Sequence, residues 1–121
     1  ALKWFRLAAD QSNAAAQFNL GLMYANGMGM PKNPAEAAKW WRLAADQAYV
    51  RAQLNLGTLY AMGQGVPEDK VRAYLWFSLA AAGGDPAAPN YRNRVAQEMT
   101  PAEIAEAQKL AREWTPNRTA K

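Results

Sequence analysis

A chain of 121 residues suits one domain, and a makeup that is 50% apolar, rich in Ala, Leu, Gln, Lys, Arg and Glu and poor in Val and Ile, favours helix over strand. The absence of both cysteine and histidine excludes disulfide frameworks and thiol nucleophiles, and removes the commonest general base and most transition-metal sites. The net charge of +4 is spread one or two cations at a time among acids and apolar residues, which is the pattern of a solvated surface.

The chain opens inside a helical pattern without an initiator Met, as expected of a piece cut from a longer polypeptide. It contains no apolar run of spanning length and no charged start with an apolar core. Any targeting signal is therefore expected upstream, and a chain without cysteine suits cytoplasm and periplasm equally.

The first segment, KWFRLAADQ at 3–11, returns as KWWRLAADQ at 39–47. Shifted by 36 positions, Ala16, Gln17, Asn19, Leu20, Gly21 and Tyr24 fall on Ala52, Gln53, Asn55, Leu56, Gly57 and Tyr60, and the glycine and proline punctuation that follows falls on itself. A period of this size marks a stacked array whose units cannot bury their apolar faces alone.

Within a unit, AAAQFNLGLMYA predicts a first helix with Ala16, Leu20, Met23 and Tyr24 on one stripe. NGMGMPKNP then stops the helix and turns the chain, as does MGQGVPED one unit later. Asn33 as N-cap, Pro34 at the first helical position and Glu36 three residues after the cap open a second helix, and Asp69 repeats the cap. On this second helix Ala37, Trp41 and Ala44 form one stripe, with Trp40 and Leu43 beside it. A glycine inside a helix costs roughly 0.5–1 kcal/mol. Gly21 and Gly57 are therefore expected where the tryptophan-bearing second helix comes too close to leave room for a β-carbon.

The pattern A-x-x-x-L-G-x-x-Y-x-x-G-x-G-x-P, followed by an aromatic pair and paired alanines, resembles the Sel1-like repeat family, a subclass of the tetratricopeptide-like helical repeats. The resemblance covers repeats at 14–47 and 50–84, with 1–11 as the second helix of a truncated preceding repeat. It implies an all-α fold, a right-handed superhelix of antiparallel helix pairs.

After AAAGGDP the signature stops. TPAEIAEAQKLAREW begins with Thr100 as cap, Pro101 and Glu103, a capping box, and carries an apolar stripe through Ile104, Ala107 or Gln108, Ala111 and Trp114. Residues 87–115 are expected to form a closing helix pair. At the front, Trp4, Phe5 and Leu7 are expected to leave an apolar edge through which copies self-associate.

No catalytic constellation is assembled in this sequence. Glu103 and Glu106 read as a solvated helix face beside Lys109, and GMGMP and GQGVP lack the further glycine and Lys-Ser/Thr pair of a phosphate loop. The expectation is a non-catalytic chain with no cofactor and no metal. By resemblance, the first helix of each unit lines a concave wall. That places Ala15, Phe18, Asn19, Leu22, Ala25 and Asn26 there from one unit, and Arg51, Leu54, Asn55, Thr58, Ala61 and Met62 from the next. The amides of Asn19 and Asn55 are expected to meet an extended peptide backbone, and the resemblance to peptide-clamping tetratricopeptide domains implies that Asn19, Asn55 and Arg51 also hold a terminal carboxylate. The function expected is a scaffold that binds a protein or peptide partner. The alternative is a basic nucleic-acid-binding helical module, motivated by Arg92, Arg94, Arg112 and Arg118 in the tail.

Overall fold

The computed structural model describes residues 13–29 and 31–116, and among them there are six helices and no strand. They are α1 (Ala14–Asn26), α2 (Pro34–Asp46), α3 (Val50–Met62), α4 (Lys70–Ala82), α5 (Ala88–Ala96) and α6 (Pro101–Glu113). The expected repeated segment at 3–11, with its open front edge, lies outside the described residues.

Helices α1 and α2 form one antiparallel pair and α3 and α4 the next, stacked through α2 against α3 into a helical solenoid. The same local chemistry makes both hairpins. Gly27 and Gly63 end the first helix of each pair in the left-handed region, at φ 69° and 66°. Their N–H groups donate to the carbonyls of Met23 and Leu59, a C-cap that a residue with a β-carbon adopts only under strain. Asn33 and Asp69 then cap the second helices, accepting from the N–H groups of Glu36 at 3.2 Å and Arg72 at 3.0 Å. Their own N–H groups donate back across the loop to Tyr24 (2.8 Å) and Tyr60 (3.0 Å). Because the Asn33 N–H is used this way, Glu36 closes no reciprocal box, and its Oε2 is buried without a hydrogen-bond partner.

The main core runs along the stack. Phe18, Trp41, Ala45, Leu56, Leu59 and Trp76 come from four different helices, so neither hairpin could bury its share alone. A smaller cluster of Ala16, Leu20 and Trp40 joins α1 to α2 within the first hairpin, with Leu43 against it. Small residues set the spacing: Ala37, Ala44, Ala52, Ala73 and Ala80 are all wholly buried, and each lets a neighbouring helix close up. Two amides join the apolar contacts. Gln47 Nε2 donates to Gln17 Oε1 at 2.8 Å, and Gln53 Nε2 donates to the Ala45 carbonyl at 3.2 Å, so each buried glutamine ties the first helix of its pair to the segment next to it.

The close approach expected at the helical glycines is present, with one correction. A β-carbon on Gly21 would lie inside the Trp41 indole. The ring against Gly57, however, is Phe77, whose Cε1 would stand 2.7 Å away, because the aromatic pair Trp40-Trp41 of the first unit is Trp76-Phe77 in the second.

The tail also departs from a repeat hairpin. Helices α5 and α6 pack principally against α4 rather than against each other, and Val95, Met99 and Ala107 join Tyr74 and Phe77 in one cluster. The capping box at Thr100 is complete: its N–H donates to Glu103 Oε1 at 2.8 Å and its Oγ1 accepts from the Glu103 N–H at 3.1 Å. Trp114, at the end of α6, reaches Trp76 edge-on with 6.2 Å between ring centroids.

Candidate functional site

Positions 19 and 55 sit two residues after the buried glutamines of α1 and α3, a rotation that turns them away from the core. Gln17 and Gln53 are 1% and 2% exposed, while Asn19 and Asn55 are half-buried and make no side-chain hydrogen bond with the described residues. Ala15, Asn26, Arg51 and Met62 are exposed, and Arg51 forms no ion pair with the described residues. The two repeats therefore place amides in register beside a cation and small apolar groups, a surface that offers donors, acceptors and contact area together.

Other expected wall residues are placed differently. Phe18 is only 5% exposed, held between Trp41 and Tyr49 with centroids 6.4 Å and 5.2 Å away, so it is a core residue with no surface for a partner. The Phe18 carbonyl accepts from Trp41 Nε1 at 3.1 Å. Leu22 and Ala25 are half-buried against the main core, and Leu54 against the α4–α6 cluster. Thr58 is half-buried and its hydroxyl donates to the Leu54 carbonyl at 3.1 Å.

Thr58, Ala61 and Met62 meet at a cavity of about 190 Å³ between α3, α4 and α5. Phe77 and Tyr91 line it, their rings stacked at 5.5 Å, with Val95 beside them. Lys70, Arg94 and Glu98 also line it. Lys70 Nζ is 3.5 Å from Glu98 Oε1, and the Arg94 guanidinium lies 6.0 Å from the Tyr91 ring centroid. Sequence reasoning missed most of this cavity because α5 carries no repeat signature. Its available signal was the aromatic at 91 three residues before an arginine.

The arginines of the basic tail are spread over two helices. Arg92 and Arg94 are on α5, with Arg92 Nε 3.4 Å from Asn93 Oδ1, and Arg112 is in the last turn of α6; Arg118 lies outside the described residues. Among the described residues no group of three or more His, Cys, Asp or Glu is placed to hold a metal ion, and no helix is long and apolar enough to cross a membrane.

The family model for the Sel1 repeat matches residues 1–13, 14–49 and 50–85. Among solved structures, a protective antigen present in uropathogenic Escherichia coli strains and displaying an SLR fold superposes with a TM-score of 0.90 at 36% identity, over 94% of this chain and 25% of that one. A Sel1 repeat protein from Oxalobacter formigenes superposes with a TM-score of 0.75 at 36% identity, over 77% of this chain and 27% of its own. The chain thus spans about a quarter of the length of either structure. A search of curated proteins found no match.

Proposed function

The chain belongs to the Sel1 repeat family, whose members typically act as protein-interaction scaffolds, and we propose that this array performs no reaction and holds an extended peptide or a partner domain along α1 and α3. The observation that carries the reading is the contrast at equivalent positions of the two repeats. Gln17 and Gln53 are buried in the stack, whereas Asn19 and Asn55 are turned outward with amides that make no hydrogen bond to the described residues. An amide supplies one donor group and one acceptor, which is what the backbone of an extended peptide presents every second residue. Arg51, on the same helix as Asn55, adds a cation for a carboxylate of the partner.

The test compares the wild-type chain with an Asn19→Ala, Arg51→Ala, Asn55→Ala triple variant in affinity capture from a cell extract, with the helical circular dichroism of both recorded. A partner retained by the wild type and lost from an equally helical variant supports the assignment. A partner retained equally by both removes it from these residues.

A further inference from the structure

The geometry points to the cavity between α3, α4 and α5 as a socket for one large apolar side chain of a partner peptide, with an adjacent carboxylate of that peptide against Arg94. This rests on the scaffold reading above and gives it a side-chain preference.

Size decides the first half. At about 190 Å³ the cavity slightly exceeds the ~150 Å³ that holds a single benzene ring, and it falls short of the ~300 Å³ at which sites for drug-sized molecules begin. Its walls are Ala61, Phe77, Val95 and the two flanking residues Met62 and Tyr91. Those two are among the few large hydrophobics left exposed in the described residues, at 60% and 40%, and both line this one cavity. Apolar surface held open beside a cavity of this size is what a partner side chain would cover.

Charge decides the second half. Three charged residues line the cavity, and Lys70 is matched by Glu98. Arg94 makes no ion pair with the described residues; it is exposed and lies over Tyr91, which leaves the rim with a net positive charge next to the aromatic wall. A carboxylate one residue from the inserted side chain is the complement. A nucleic-acid strand fits less well, because it needs a succession of cations along its phosphates and here Glu98 opposes one.

The test uses the full chain with carbon-13-labelled methyl groups, observing Ala61, Met62 and Val95 by NMR. The probe is a capped heptapeptide with a central phenylalanine flanked by aspartates, raised to about 5 mM, where a Kd of about 1 mM already occupies most sites. Two control peptides replace the phenylalanine by serine or the aspartates by lysine, and an eight-residue thymidylate is the nucleic-acid control. The expected result is saturable shifts of these methyls. Affinity should be at least about tenfold weaker for the serine peptide. It should be about three- to tenfold weaker for the lysine peptide, and for Arg94→Glu with the original probe.

Unmoved methyls, equal response to all three peptides, or a stronger response to the thymidylate would each overturn the socket. If the methyls stay still while the triple alanine variant still loses a partner captured by the wild type, the scaffold reading stands and only the socket falls. If the methyls respond and the triple variant retains every partner, the socket stands and the assignment to Asn19, Arg51 and Asn55 falls.

Discussion

The indole of Trp41 occupies the space that a β-carbon on Gly21 would need, and from that position its Nε1 donates to the Phe18 carbonyl one turn earlier on the same helix. The glycine is thus the condition for the hydrogen bond: helix α2 reaches α1 closely enough only where α1 has no side chain. One unit later Gly57 faces Phe77, which fills the same space and has no N–H to donate.

Gly21→Ala is expected to destabilise the fold by about 1–3 kcal/mol through overpacking, even though alanine is the better helix former. Gly57→Ala is expected to cost less within the same range, because a phenyl ring leaves more room to shift than an indole held by a hydrogen bond. Urea denaturation followed by tryptophan fluorescence reads both; an increase in the midpoint for either variant would contradict the close-approach account.

Trp41→Phe and Trp76→Phe form a matched pair. The Trp41 N–H is bonded, whereas the Trp76 Nε1 is buried with no hydrogen-bond partner. Losing the bonded group adds about 1 kcal/mol to the packing loss, whereas removing an unpaired buried donor relieves a desolvation penalty of similar size. Trp41→Phe should therefore be the more destabilising by about 1–2 kcal/mol in equilibrium unfolding.

Ala48 lies just beyond the end of α2 with φ 66°, in the left-handed region, and the equivalent residue after α4 is Gly84, at φ 101°. An alanine there is strained by about 1–2 kcal/mol, partly offset by the greater freedom glycine has when unfolded. Ala48→Gly should raise stability by about 0.5–1 kcal/mol, and Gly84→Ala should lower it. Opposite signs in thermal denaturation are the outcome to look for.

Ala107 is wholly buried where α6 meets α4. Ala107→Asp introduces an unpaired charge into that contact, a change worth about 3–5 kcal/mol when uncompensated. The expected result is release of α6 with the solenoid otherwise helical, seen as new protease cleavage between 97 and 100 and as association of the bared α4 face around Tyr74 and Phe77. Unchanged proteolysis would show that α6 does not shield α4.

The repeat was legible in the chain because its signals are local. The cap at Asn33, the left-handed turn at Gly27 and the stripe of Ala37, Trp41 and Ala44 each depend on residues a few positions apart, and their recurrence 36 residues later identifies the stack. The difference in burial between Gln17 or Gln53 and the half-buried Asn19 or Asn55 follows from helical rotation over two residues. Phe18 was misplaced because helical period alone cannot tell a residue facing a groove from one facing the next unit; its burial depends on Tyr49 and Trp41 arriving from outside its own helix. The socket was invisible for a stronger version of that reason. Its walls come from three helices, one outside the repeat pattern, and a cavity exists only as the distance left between surfaces that packing brings together.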